Sequence, residues 1–327
     1  FPRALIQWED FKKANAFRLL SSYRKRHPSF NDDIQGTAAI AVAGVYAAAR
    51  IMRRPMAEQR VVILGAGAAG IGIAQQLRIA FRDAGLSGQE LESAVAVLDS
   101  RGMLVAERHI EDEYKRDFAW SVECARAFGL DPSADIDLKT ALRALKPTTV
   151  IGTSGQPGAF DREVVVLMSA NHARPAIFPV SYPTSKSEAR AEDIIAWSEG
   201  RAIVATGSPF DPVEYNGKTY RISQGNNVYI FPGVGLGAII SEAAEVTDEM
   251  FTAAARALAG LVSDEDIDSG LCFPPLTKLR EVSAAIAAAV VREAIRSHGG
   301  RPLPDDSIEK LIAWKMWQPN YPRLKPA

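Results

Sequence analysis

Two clusters in this 327-residue chain have the residue types and spacing to do chemistry. The first is Val61-Val62-Ile63-Leu64-Gly65-Ala66-Gly67-Ala68-Ala69-Gly70, an apolar run leading into three glycines with dinucleotide-loop spacing. In such a loop the first glycine permits the tight turn and the second lets backbone approach a pyrophosphate. The third lets the following helix pack closely on the strand, and that helix's N-terminus offers free N–H groups to the anion. Gly65, Ala66, Gly67, Ala68 and Ala69 are therefore candidate cofactor contacts. A second strand, Ala94–Leu98, runs into Asp99, an acid placed to bind the adenosine ribose. Asp99 lies further from Gly65 than the usual ~20 residues, and the polar stretch Asp83–Glu92 accommodates the excess. An acid at this position favours NAD. Ser100 and Arg101 beside it, with Lys115 further on, can accept the extra phosphate of NADP, so the cofactor is NAD or NADP.

The second cluster is acidic: Glu9-Asp10 and Asp32-Asp33, each at a strand-to-helix junction. Two readings stay open from spacing alone. The acids are helix caps and surface groups, with Asp33 capping a helix that begins near Gly36. Alternatively they converge in the crevice beyond the strand ends, where their repulsion calls for a divalent cation. All-oxygen ligation suits Mg2+ or Mn2+. None of the four histidines has ligand-like or triad-like spacing. Ser154, in Gly152-Thr153-Ser154-Gly155-Gln156, lacks the flanks of a nucleophile elbow and reads as part of a glycine-rich loop near the nicotinamide.

The elements that must position these residues follow from periodicity. Ala4–Trp8 reads as a short strand, Phe11–Lys25 as a helix closed by Pro28, and Gly36–Met52 as a helix of small residues. From Arg60 apolar strands alternate with helices: Arg60–Leu64, Ile71–Ala84, Ala94–Leu98, Thr149–Ile151, Ala176–Val180 and Ala202–Ala205. Continuous apolar strands alternating with helices predict an α/β fold, a doubly wound Rossmann-like parallel sheet covered on both faces. After Pro232 the pattern turns helical over Gly235–Ala244, Asp248–Leu258 and Leu276–Ser297. The expected division is a lead-in over 1–30, a dinucleotide-binding domain over 31–234, and a helical segment with tail over 235–327.

A net charge of −1 gives no field for nucleic acid or a membrane surface. No apolar run reaches the ~18 residues of a membrane span. Cys124 and Cys272 are expected to be two buried thiols in a reducing cytoplasm. The chain begins at Phe1, so a fragment, a processed chain or one missing its beginning is expected. Its tail from Trp314 to Ala327 reads as an arm lying on another surface.

Several strings together resemble the malic enzymes, in order and spacing, over nearly the whole chain. They are Ile6-Gln7-Trp8-Glu9-Asp10-Phe11, Phe30-Asn31-Asp32-Asp33-Ile34-Gln35-Gly36-Thr37 and Gly65-Ala66-Gly67. Further along come Ala205-Thr206-Gly207-Ser208-Pro209-Phe210 and Gln224-Gly225-Asn226-Asn227-Val228-Tyr229-Ile230-Phe231-Pro232-Gly233. The resemblance implies that Glu9, Asp10 and Asp33 bind Mn2+ or Mg2+. That ion in turn holds the malate C1 carboxylate and C2 hydroxyl and stabilises the enolate left when CO2 departs. It implies that Asp32 orients the family's general-base lysine, that Asn226 and Asn227 meet substrate and the nicotinamide end, and that Thr37 and Ser154 join the cofactor contacts. The implied activity is oxidative decarboxylation of malate to pyruvate with reduction of NAD(P)+, in a homodimer or tetramer.

Two departures qualify this. The family's catalytic lysine and tyrosine and a substrate-gripping arginine belong to an N-terminal domain absent from this chain. The family's SNPTS string reads Ser181-Tyr182-Pro183-Thr184-Ser185, so a substrate-contacting asparagine is Tyr182, and a changed substrate preference follows from the larger side chain. The alternatives are a malolactic-type lyase that retains its nucleotide, and a non-catalytic nucleotide-binding chain.

Overall fold

Alternate side chains of the central strands enter two different cores, so the sheet is covered on both faces. Val61, Ile63, Val95, Val97, Ile151, Phe178 and Ile203 join one cluster, while Val62, Ala96, Leu98, Val150, Ile177 and Val204 join the other. This two-residue alternation is the pleat of a strand, and burial on both sides explains why the runs read as continuously apolar. The computed structural model describes residues 4–319.

The strands are β1 (Ile6–Trp8), β2 (Ser29–Asn31), β3 (Val61–Leu64), β4 (Val95–Asp99), β5 (Gly102–Met103), β6 (Thr149–Gly152), β7 (Ala176–Pro179), β8 (Ile203–Thr206), β9 (Val213–Tyr215), β10 (Lys218–Tyr220) and β11 (Ser223–Gln224). Seven of them form one sheet in the order β11-β8-β7-β6-β3-β4-β5, parallel except where β5 meets β4. The chain runs outward from β3 to β5, then returns to β6 on the other side of β3. That reversal opens a crevice at the carboxyl ends of β3 and β6. Leu64 pairs with Gly152, which sets the glycine loop beside Thr153.

The longer helices are α1 (Lys13–Tyr23), α2 (Thr37–Met52), α3 (Ala68–Asp83), α4 (Phe231–Ser241), α5 (Asp248–Gly260), α6 (Leu279–Arg296) and α7 (Asp305–Lys315). Between β5 and β8, helices Leu138–Leu145, Arg162–Asn171 and Ala191–Trp197 cover the second face. Their short lengths and mixed surfaces hid them from periodicity, as did the two- and three-residue strands β5, β9, β10 and β11. The run Asp32–Met52 is long and apolar enough by length and composition to cross a bilayer, which the sequence expectation of no such run did not foresee. Most of it is buried inside the protein, where α2 packs on α3 and α5. Alanine makes this possible, since its small side chain lets a helix be enclosed on nearly every side.

Both cysteines are free and buried, as expected. Of the expected C-terminal arm, residues 320–327 lie outside the described residues, while Trp314 and Trp317 are each 74% exposed.

Helix α4 approaches α6 through glycines. A Cβ at Gly233 would stand 2.6 Å from Ile286 Cβ, and one at Gly237 would stand 2.7 Å from Val290 Cβ. Overpacking of this kind costs about 1–3 kcal/mol. Gly237→Leu is therefore expected to lower the midpoint of thermal unfolding clearly, and an unchanged midpoint would contradict the close approach.

Candidate active site

The two acidic pairs come together because β1 and β2 lie side by side. These strands form a parallel ladder of their own, outside the main sheet, with Ile6 opposite Ser29, Gln7 opposite Phe30 and Trp8 opposite Asn31. The residues just beyond Trp8 and Asn31 are Glu9-Asp10 and Asp32-Asp33, so a shared register delivers both pairs to one end. Asp10 has φ 60°, a left-handed conformation that Asp tolerates. Its N–H donates to Asp33 Oδ2 at 2.9 Å.

From Asp32 to Gly36 the backbone makes one wide helical turn before α2. The cap of this turn is Asn31, whose Oδ1 accepts from the Ile34 N–H at 2.8 Å, so Asp33 is not the cap. Gln35 accepts from the Asn31 N–H at 3.0 Å and donates to Asp248 Oδ1 at 2.6 Å, tying the turn to α5. Asp32 is 1% exposed. Asn227 Nδ2 donates to Asp32 Oδ2 at 3.0 Å and to Thr37 Oγ1 at 3.1 Å, linking the first 40 residues to the end of the main sheet. Asp32 Oδ1 is buried without a hydrogen-bond partner among the described residues. A Cβ on Gly36 would lie 2.0 Å from that same oxygen, so only glycine leaves room for the carboxylate.

Burial pushes the Asp32 carboxyl up to about 7; the Asn227 hydrogen bond opposes the rise and the nearby charges of Glu9 and Asp33 add to it. Burial also raises Asp33, partly offset by the Asp10 N–H, with the charge of Asp10 adding.

These groups open on a cavity of about 520 Å³ at the carboxyl ends of β7, β8 and β11. Glu9, Asp32 and Asp33 stand on one side and Asn226 and Asn227 on another, with Phe178, Val180 and Phe273 among the apolar walls. Three carboxylates face this space, and among the described residues no basic side chain lines it. Among the described residues, however, no three Asp, Glu, His or Cys side chains stand grouped as ion ligands. Glu9 and Asp33 reach the cavity, whereas Asp10 is exposed and does not line it.

The glycine loop lies at the other crevice wall. Gly65 has φ 118°, and a Cβ there would meet the Thr153 backbone at 2.5 Å. A Cβ on Gly70 would meet Gly65 O at 1.8 Å. Gly67 is different: a Cβ there would touch nothing within 4 Å, and its φ of −77° is open to any residue. Its missing side chain faces space, which is where backbone must come close to a pyrophosphate. Gly67 also caps α3 with no side-chain hydrogen bond, leaving the first turn's N–H groups to a ligand.

Residues 34–295 match the family model described as the malic enzyme, NAD binding domain. The chain belongs to the malic enzyme family. It is 42% identical over 326 residues to NAD-dependent malic enzyme 3 of Bacillus subtilis (strain 168), covering 99% of this chain and 57% of that protein. It is equally 42% identical over 323 residues to NADP-dependent malic enzyme 1 of Arabidopsis thaliana, covering 98% of this chain and 54% of that protein. The chain thus spans somewhat over half the length of the curated relatives it matches. Among solved structures, the malic enzyme from Pyrococcus horikoshii Ot3 superposes with a TM-score of 0.73 at 26% identity, over 95% of this chain and 65% of that one. The Entamoeba histolytica malic enzyme gives 0.77 at 24% identity, over 95% of this chain and 58% of that one, and shows the same fold.

Against this family background the remaining site residues fall into place. Tyr182 stands at the cavity rim, 75% exposed. Asn226 lines the cavity while its Oδ1 accepts from the Val228 N–H at 2.9 Å. Ser154 does not point freely at the cofactor crevice. Its N–H and Oγ donate to Glu188 Oε1 at 2.7 and 2.9 Å, and Ser181 Oγ donates to the same oxygen at 2.6 Å. Glu188 is fully buried and fastens the loops after β6 and β7 together. Sequence reasoning missed it, because a lone acid in a Ser- and Ala-rich stretch has no periodic or motif signal.

Arg108 was missed for the same reason. It donates to Asp99 Oδ2 at 2.6 Å, Lys115 donates there at 2.8 Å, and the Arg101 N–H donates to Oδ1 at 2.9 Å. Ser100 and the Arg101 side chain are exposed beside them. Desolvation works against the Asp99 carboxylate, but the bonds from Arg108 and Lys115 outweigh it and hold the group down at about 2. A depressed carboxyl contributes stability above its unfolded value of about 3.9 and loses that stability as pH falls through its folded value. Asp99→Asn is expected to lower the unfolding midpoint by a few degrees at pH 7, on the order of 2 kcal/mol. The gap to wild type should close as the pH approaches 2. A gap independent of pH would show that the ion pairs do not set this group's titration.

Proposed function

We propose that this chain is the cofactor- and metal-holding part of an enzyme that converts malate and NAD(P)+ to pyruvate, CO2 and NAD(P)H. The observation that carries the reading is the cavity faced by Glu9, Asp32 and Asp33, with no basic side chain lining it among the described residues, on the same sheet edge as the Gly65–Gly70 loop. Clustered carboxylates without a cation repel one another, and burial amplifies the repulsion. The oxygen donors of Glu9 and Asp33, with Asp10 close by, fit Mn2+ or Mg2+, which suit all-oxygen ligation and leave positions for substrate oxygens. A divalent ion held there supplies Lewis-acid stabilisation of negative charge on the substrate oxygens.

The chain's own groups then have distinct tasks. The malate C2 hydroxyl must give up a proton while its C2 hydride passes to the nicotinamide, and the C3–C4 bond then breaks to release CO2. Asp32 Oδ1 is free among the described residues to receive a donor from a basic group. Asn227 fixes the orientation of that carboxylate. Phe178, Val180 and Phe273 exclude water from one wall, which strengthens the electrostatic interactions inside. The resemblance implies a general-base lysine besides these groups, and this chain spans somewhat over half the length of its curated relatives.

Both cofactors fit this reading. With Asp99 occupied by Arg108 and Lys115, its charge no longer rejects a 2′-phosphate, and exposed Arg101 stands ready to meet one. The free buried cysteines support a reducing cytoplasm, and exposed Trp314 and Trp317 offer apolar surface to a second copy in a dimer or tetramer.

The test is formation of reduced nicotinamide by the intact protein with malate, Mn2+ and each cofactor in turn. Glu9→Gln and Asp33→Asn should each raise the Mn2+ concentration for half-maximal activity at least about tenfold. No reduced nicotinamide with either cofactor would overturn the proposal. Lactate formed without a change in nicotinamide absorbance would replace it with the malolactic-type reaction.

A further inference from the structure

The same strands that end in the substrate cavity begin in a second one. At the amino ends of β7, β8 and β11 lies a cavity of about 250 Å³, walled by the β9–β10 hairpin and the turn at Asp268–Gly270. Arg174, Arg201 and Arg221 each stand two residues before the start of β7, β8 and β11, and Lys218 opens β10. All four line the cavity, against a single acid among the described residues, Asp268.

Their pairing is incomplete. Arg174 is half-buried, and among the described residues it makes no hydrogen bond or close ion pair. Burial lowers its pKa, although Asp268 is near enough to pull the other way. Lys218 Nζ rests 4.9 Å from the centre of the Tyr220 ring, and among the described residues it has no carboxylate partner. Arg201 gives one N–H to the Ser169 carbonyl at 2.9 Å, its other side-chain donors making no hydrogen bond among the described residues. Arg221 reaches Asp266 only at 3.4 Å, with its side chain largely exposed.

The backbone is shaped to admit these groups. Gly270 has φ 83°, and a Cβ there would lie 2.6 Å from the Arg174 guanidinium. Gly200 has φ 73°, and a Cβ there would lie 2.1 Å from Tyr220 Oη. A side chain at either position would collide with the floor of the cavity. Collecting like charges around a cavity is unfavourable unless an anion completes it.

We propose that this cavity is a binding site for a small phosphate-bearing anion, separate from the dinucleotide and substrate sites. Arginine forks match phosphate oxygens two at a time, and lysine adds a compact charge. The volume equals roughly eight waters at ~30 Å³ each, enough for a phosphate on a short carbon body and too little for a dinucleotide. The site lies one strand length from the substrate cavity. β8 spans four residues, which is about 13 Å at the usual rise per residue. An occupant would bridge the starts of β8 and β11, and β11 leads directly into Asn226 and Asn227.

The test is calorimetric titration of the full chain with inorganic phosphate at constant ionic strength, with NAD present in excess to fill the glycine loop. Saturable binding is expected in the wild type. Arg174→Gln should weaken it about tenfold or more. Asp268→Asn, which deletes the one acid that lines the cavity among the described residues, should tighten binding several-fold, a gain that misfolding cannot imitate. Absence of saturable binding, or equal affinity in wild type and Arg174→Gln, overturns the proposal.

Discussion

The arrangement of the site depends on one buried carboxylate. Asp32 has been taken almost wholly out of water, and a buried charge is tolerated only with partners or with a proton. One oxygen is held by Asn227 Nδ2, contributed from 195 residues away, and the other has no partner among the described residues. From this constraint several local features follow. Gly36 must lack a Cβ, Asn31 must cap the wide turn, and Gln35 must brace it against Asp248. Thr37 shares the Asn227 amide, so the start of α2 is registered to the end of β11.

The second organising constraint is close approach of backbone to backbone at the crevice. Gly65 lies under Thr153, and Gly70 lies against Gly65 O. Thr153 secures the contact by donating its N–H to Leu64 O at 2.8 Å and its Oγ1 to Gly65 O at 2.9 Å. Glu188 in turn holds the following loop to the one after β7. The Gly65–Gly70 loop, the loop after β6 and the rim bearing Tyr182 are therefore linked in series. The dinucleotide crevice and the carboxylate cavity share an edge of the sheet because all the parallel strands point the same way.

Much of this was legible from the residues. The glycine spacing, the apolar strands and the 3.6-residue pattern of the longer helices located the main sheet and its crevice, since each depends on local sequence. What remained hidden was non-local. Ser29-Phe30-Asn31 is too short to announce a strand, yet its pairing with β1 brings the acids together. Arg108 and Glu188 owe their roles to partners that no spacing rule connects to them. The unpartnered Asp32 Oδ1 depends on packing from elements far apart in the chain. Asp33 as helix cap was a reasonable local inference, but Asn31 had already taken that position through its own side chain.

Asp32 and Asn227 act as one unit, the amide holding the carboxylate in its buried orientation. A double-mutant cycle on kcat/KM for malate in the intact protein, using Asp32→Asn, Asn227→Ala and the pair, measures this directly. The predicted result is strong non-additivity, the double variant losing little more than the worse single one. Losses that simply multiply would contradict the account, because they would mean that the two residues serve the site independently.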